Sequence, residues 1–423
     1  MSHLSLRCIV CGGAALEPVL ELAEVPVSCG FLMTSAAAAA AVPRGRIALV
    51  ACWTCGHVQN AAFEPAKVEY RYGYENSLDF SPRFRAYAAK MARRLANTYE
   101  LRGKKVVEIG CGDGEFLQRL CEIGGIQGTG YDPSRADAPA VQVGDGTFRI
   151  FGSYFNGTAK EKADLICSRQ VLEHVPEPVA LLCRMREVLA PAGGACVCEV
   201  PNALFIVEAS SFWDLIYEHV SYFSPASLAH AMRKAELAIQ AWQIGFGGQF
   251  LVMEAVIRGA HAAIPPLLAP RRSSLVEFAA RYARTISLWR RRLDALSAAA
   301  RRVVLWGGGS KGTMFLNLVG ARADRDIEYV VDVNPRKEGH FVPGAGQRIV
   351  PPAFLAGYRP EVVLVMNELY MAEIAATLQA MTLEPELVLV KMAGGGHDPE
   401  TSSHPLETMH CRRPTSICRK QLL

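Results

Sequence analysis

The sequence predicts an α/β protein with two Rossmann-like units and an N-terminal four-cysteine zinc module. Three observations predict it. Residues 105–117, Lys-Val-Val-Glu-Ile-Gly-Cys-Gly-Asp-Gly-Glu-Phe-Leu, pass from an apolar strand through alternating glycines into a helix. Residues 303–312, Val-Val-Leu-Trp-Gly-Gly-Gly-Ser-Lys-Gly, repeat that strand–turn–helix order near the C-terminus. Two Cys-x-x-Cys pairs, Cys8/Cys11 and Cys52/Cys55, precede both.

At 423 residues the chain is too long for one ordinary core, so two or three domains are expected. Half of it is hydrophobic and a fifth charged, the mix of a soluble globular protein. The net charge of +4 is too small to argue for nucleic acid. No run is long and apolar enough for a membrane span, and residues 1–7 lack the apolar core of a signal peptide. A cytoplasmic protein is expected. Thirteen cysteines, an odd number, suit a reducing compartment. Cys167, Cys183, Cys196 and Cys198 read as small buried hydrophobes.

Each N-terminal cysteine pair is followed by glycine, the form of a knuckle that aims two thiolates at one point. Two knuckles supply four soft ligands, Cys8, Cys11, Cys52 and Cys55, for a structural Zn²⁺ with no open position. His57 is then a bystander or a weak alternative ligand. Strands are expected over 20–31 and 46–50. Tyr70, Tyr72 and Tyr74 form a packing cluster or a lid, and a helix is expected over 82–99 with Phe84, Tyr87, Met91 and Leu95 on one face.

The first glycine turn reads Glu108-x-Gly110-x-Gly112-x-Gly114, with an acid inside it. The next strand ends on Asp132, placed to accept from two ribose hydroxyls. An acid beside a pyrophosphate is repelled, whereas a cationic amino-acid moiety attracts it. S-adenosylmethionine, with a ribose, an ammonium and a sulfonium, fits both acids. A strand over 163–168, Gln170, the segment Leu-Glu-His174-Val, a helix over 179–189 and a Pro-x-Gly-Gly turn before the strand 195–200 follow. This order resembles class I S-adenosylmethionine-dependent methyltransferases. The resemblance assigns Glu108, Gly110, Gly112, Gly114, Asp132, Gln170 and His174 to the cofactor pocket.

Residues 214–224, Asp-Leu-Ile-Tyr217-Glu218-His219-Val-Ser-Tyr222-Phe-Ser, hold a Glu-His pair. An imidazole with an ordinary pKa of ~6.5 suits a general base near neutrality. The Glu-His and Ser-Tyr-Phe-Ser elements resemble the three-domain sugar C-methyltransferases, which join a zinc module, a methyltransferase core and a C-terminal Rossmann-like domain. That resemblance implies methylation of a carbon beside a ketone on a nucleotide-sugar. His219 would take the proton, Glu218 would orient the imidazole, and the Tyr217 or Tyr222 hydroxyl would bond the enolate. Asn202, Gln249 and Lys311 are assigned to the acceptor. Two departures from the family pattern, at Ile216-Tyr217 and Gly248-Gln249, lie toward the substrate. An O- or N-methyltransferase is the alternative; an RNA-modifying zinc-knuckle enzyme and a non-catalytic scaffold are weaker ones.

Pro265-Pro266 marks a boundary, and a helix with an arginine-rich solvated face is expected over 274–300. The second glycine turn, followed by a strand ending on Asp332, also fits a dinucleotide fingerprint. Lys311 inside it is unusual for NAD, and in the resembled family this domain has no redox cofactor. Lys311 and the helix start at Gly312 are expected to hold a diphosphate. The domains are read as 1–75, 76–262, 263–395 and a disordered tail, 396–423, where Cys411 and Cys418 lack a partner pair. Oligomeric state is left open.

Overall fold

The computed structural model describes residues 6–71, 73–157, 162–191, 193–260 and 268–391. Tyr72, the Pro265-Pro266 boundary and the tail with Cys411 and Cys418 lie outside the described residues. Among those described, no helix is long and apolar enough to cross a membrane.

The central sheet has eight strands, in the order Ala238–Gly245, Phe250–Val256, Ala195–Pro201, Leu165–Arg169, Lys105–Ile109, Gln127–Tyr131, Gly146–Phe151, Val141–Val143. The five strands from Ala195–Pro201 to Gly146–Phe151 are parallel; Phe250–Val256 runs against them. The inner strands are apolar because helices cover both faces. The strand order reverses between Lys105–Ile109 and Leu165–Arg169. Ligands of open α/β sheets bind outside the strand ends at such a switch point.

The C-terminal sheet is wholly parallel, in the order Arg348–Val350, Tyr329–Val331, Val303–Trp306, Val362–Val365, Glu386–Leu389. Its switch point lies between Val303–Trp306 and Val362–Val365. The helix Ser310–Val319 leaves the glycine turn there, and a Cβ on Gly312 would sit 2.0 Å from the Gly307 carbonyl oxygen. Only glycine lets helix and strand approach so closely.

The N-terminal sheet is antiparallel: Leu16–Pro26, Arg44–Cys52 and Val58–Asn60. The first two strands overlap the expected 20–31 and 46–50, with the first beginning four residues earlier. Its fourth strand, Ser221–Tyr222, comes from the segment that carries His219 and pairs with Val58–Asn60. The units are interlocked. The zinc-module sheet, residues 203–217 and the C-terminal sheet share one core, including Leu22, Ile47, Trp213, Tyr217, Phe315 and Leu364. The knuckle residues Cys8, Val10, Cys52 and Cys55 pack instead on the methyltransferase core.

The helices Pro82–Thr98 and Arg272–Ala298 lie close to the expected bounds. The arginine-rich face of the second helix is largely exposed, and Arg290 on it is structural. Arg290 donates to the Val319 and Gly320 carbonyls at the end of Ser310–Val319 and pairs with Asp326 at 2.8 Å. A guanidinium there satisfies the last carbonyls and complements the helix dipole.

Candidate active site

One cavity of about 840 Å³ is lined from both switch points: Glu108 to Asp113 on one side, Trp306 to Gly312 and Val365 to Asn367 on the other. That volume suits two small ligands side by side.

The donor side is the first glycine turn. Gly110, Gly112 and Gly114 all have positive φ, at +70°, +55° and +80°. A Cβ on Gly110 would lie 2.2 Å from a Val171 methyl, so a side chain there is excluded twice over. Asp132 holds the turn shut: its Oδ2 accepts from Gly112 N at 2.9 Å and its Oδ1 from Ser134 N at 2.9 Å. Glu108 ends its strand 2% exposed, and its Oε2 has no partner. Burial pushes its pKa up to about 8, against the pull of Arg169. A buried carboxylate oxygen without a donor fits the ammonium of S-adenosylmethionine. Gln170 lies next to the turn at φ +56°, held by its amide to the Glu199 carbonyl at 2.8 Å.

His174 and His219 meet at the cavity, ring centroids 4.7 Å apart and nearly perpendicular. His174 Nδ1 lies 2.6 Å from the Tyr70 hydroxyl and 3.1 Å from the Glu218 carbonyl oxygen. The tyrosine cluster therefore reaches the site through Tyr70. Burial lowers His174 to about 4. Burial, His174 and Lys311 hold His219 well below its ordinary value, so its imidazole is neutral at pH 7.

Three placements correct the sequence reading. Glu218 does not orient the His219 ring; its carboxylate accepts from Ser28 Oγ at 3.2 Å and Cys29 N at 2.9 Å, clamping this segment to the zinc module. Tyr217 points into the zinc module, packed on Phe63, and its hydroxyl accepts from Glu64 N at 3.0 Å. Tyr222 donates to the Ile216 carbonyl at 3.3 Å, buried in the strand Ser221–Tyr222. None of the three lines the cavity.

The acceptor side is mixed. Gln249 lines the cavity and exchanges two 3.0 Å hydrogen bonds with Asn367, joining core to C-terminal unit. Asn202 does not line it: Oδ1 caps the helix Ala203–Glu208 and Nδ2 donates to the Gly248 carbonyl at 2.9 Å. Lys311 lines the cavity but is ion-paired with Asp214, so it is not a free diphosphate ligand. Asp214 stands in the same segment as His219, yet only folding brings it to Lys311, 97 residues on. The dinucleotide alternative meets an obstacle at Asp332. Lys337 is buried 3.7 Å from its carboxylate and donates to the Gly308 carbonyl.

The four cysteine sulfurs lie within 4.8 Å of one another, with Cys8–Cys55 at 3.6 Å and Cys11–Cys52 at 3.5 Å. Tetrahedral Zn–S bonds of ~2.3 Å place sulfurs ~3.8 Å apart, so the set fits the ion. His57 is outside it, buried against Phe223 with neither ring nitrogen partnered.

Comparison with known families matches three models along the chain: a zinc binding domain over 8–70, a methyltransferase domain over 81–241 and a C-methyltransferase C-terminal domain over 270–388. The chain thus carries, in order, a zinc-binding domain, a methyltransferase domain and a C-methyltransferase C-terminal domain. The C-methyltransferase NovU of Streptomyces niveus is 26% identical, over 87% of this chain and 91% of its own. A ubiquinone biosynthesis O-methyltransferase of Cereibacter sphaeroides is 28% identical, but over 36% of this chain and 66% of its own. The solved 1,6-didemethyltoxoflavin-N1-methyltransferase of Burkholderia thailandensis overlaps 40% of this chain and 77% of its own, at 18% identity and TM-score 0.32. This methyltransferase uses S-adenosylmethionine as its methyl donor and carries a structural zinc in its cysteine knuckles.

Proposed function

We propose that the enzyme methylates a carbon beside the ketone of a nucleotide-linked sugar, with His219 as general base. The observation that carries this reading is the His219 ring: it is neutral, it lines the shared cavity, and the Lys311 charge acts on it. S-adenosylmethionine supplies an electrophilic methyl on a sulfonium. Glu108 and the glycine turn hold the donor's cationic head, and Asp132 faces its ribose. A C–H beside a carbonyl needs a base, and a His219 ring nitrogen takes that proton. The Lys311 ammonium, steadied by Asp214, offsets the charge on the enolate oxygen, the part that the tyrosine hydroxyls do not reach. The resulting carbon nucleophile faces the donor. The N-terminus of the helix Ser310–Val319 opens on the acceptor half, where its amides suit a diphosphate.

Likeness to NovU over nearly the whole chain favours carbon as the methylated atom, since the O-methyltransferase relatives share only the core. The test is proton exchange. Incubated in D₂O with a 4-keto nucleotide-sugar and S-adenosylhomocysteine, the wild type should wash deuterium into the α-carbon, and His219→Ala should not. His219→Ala should lose turnover by ~10²-fold or more while keeping donor affinity. Full turnover in that variant, or methylation of oxygen without exchange, would overturn the reading.

A further inference from the structure

Glu173, His174 and His219 each offer one ligand atom within 4.8 Å of the others. Glu173 is 1% exposed and neither carboxylate oxygen has a partner. Its Oε1 lies 3.9 Å from His174 Nε2. His219 Nδ1 is likewise buried and unpartnered. A buried carboxylate without a donor is costly, and a cation removes the cost.

The surroundings are those of a metal ligand set. The contacts of His174 Nδ1 to the Glu218 carbonyl and the Tyr70 hydroxyl orient the ring and leave Nε2 as the ligating nitrogen. A metal-bound histidine has this arrangement, its second nitrogen engaged by a carbonyl or another polar group. All three residues line the cavity, so positions for water or substrate stay open. The nearby Lys311 ammonium is ion-paired with Asp214, which moderates its repulsion of a bound cation. Two imidazoles and one carboxylate suit a divalent first-row transition ion. Ordinary ~2.0–2.2 Å metal–ligand bonds need the three side chains to close slightly, within reach of rotamer adjustment.

We propose that Glu173, His174 and His219 form a second, open metal site for an ion such as Zn²⁺ or Co²⁺, distinct from the closed cysteine site, whose occupancy silences the base. A neutral imidazole has one lone pair and one N–H. Once its lone pair is on the ion, the other nitrogen carries the proton and His219 has nothing left with which to accept one. The binding half of the proposal stands on geometry alone; the silencing half rests on His219 being the base.

Zinc-loaded protein, its cysteine site filled, is titrated with Co²⁺. The expected result is one further ion per chain, with visible d–d bands and no thiolate charge-transfer band, both lost in Glu173→Gln. Anomalous scattering from a Co²⁺-soaked wild-type crystal locates the ion without relying on any variant. Turnover falls in step with occupancy, and a chelator weak enough to leave the cysteine site loaded restores it. Wild-type protein that takes up no second ion at millimolar Co²⁺, or takes it up elsewhere, overturns the site. Occupancy of this site with full turnover overturns the silencing; loss of deuterium wash-in in His219→Ala would then leave the reading of His219 as base standing, and retained wash-in would overturn that reading as well.

Discussion

Glu108 and His219 are both buried at the cavity, and burial moves them in opposite directions. Glu108 is raised to about 8, so the folded state without donor holds its proton more tightly than the unfolded chain. Its contribution to stability is therefore full below pH ~4.5 and is lost as pH rises through 8. Glu108→Gln removes that dependence. The variant without donor should be more stable than wild type at pH 8, on the order of 1–3 kcal/mol, by denaturant melts. It should also lose S-adenosylmethionine affinity by calorimetry. His219 is depressed, and a base works unprotonated, so kcat at saturating S-adenosylmethionine, where Glu108 already faces the donor's ammonium, should stay level down through pH 6.5 and fall only below it. An acidic limb at or above 6.5 would contradict the environment described. Its low basicity makes it a weak proton acceptor, but the Lys311 charge that lowers it also favours the enolate.

At the scale of elements, the strand Ser221–Tyr222 has the most consequence for its size. Two residues from the core segment complete the zinc-module sheet, and Glu218 bonds the backbone of Cys29 beside it. The zinc knuckles are thus coupled to the position of His219 without touching it. Cys55→Ser, or removal of zinc, should lower Tm and cut turnover by ~10-fold or more, about 1.4 kcal/mol in the barrier. Donor affinity should stay within a few-fold, because the glycine turn is built from other strands. Equal losses in both would mean that the zinc module merely holds the fold together. Glu-His pairs invite a base-and-orienter reading from sequence; here the acid positions the segment and the imidazole alone faces the cavity.

Across the whole molecule, the two Rossmann-like units oppose their strand ends, and a polar latch ties them. Arg336 of the C-terminal unit pairs with Glu75 at 3.0 Å and with Asp113 inside the donor turn. Arg135 also holds Asp113, at 2.6 Å, and Asn334 bonds Glu75 at 2.9 Å. The Gln249–Asn367 pair adds a second tie. Arg336 is partly exposed, so its ion pairs are screened and individually modest. Arg336→Ala should weaken donor binding by roughly three- to tenfold, read as S-adenosylhomocysteine affinity, through the loosened Asp113. Arg336→Lys should restore only part of it, since an ammonium lacks the guanidinium fork that meets two carboxylates. Unchanged affinity in Arg336→Ala would show that the units close independently of the donor turn.

What the sequence determined by itself were the features that local chemistry encodes. Gly110 to Gly114 with Glu108 and Asp132 announce the donor turn, because a tight turn and an acid at a strand end are readable over a few residues. Cys8, Cys11, Cys52 and Cys55 announce the zinc for the same reason: ligand spacing within each knuckle is local. The tertiary structure alone decided which side chains share the cavity. Asp214 meets Lys311, Tyr70 meets His174, and the adjacent Glu173 and His174 meet His219, all across separations that spacing does not report. It also turned Glu218, Tyr217 and Tyr222 away from the site, because a strand pairing and two packed cores set the direction of that segment. Residue type and short spacing survive in sequence; side-chain direction is set by packing, and packing is a property of the folded chain.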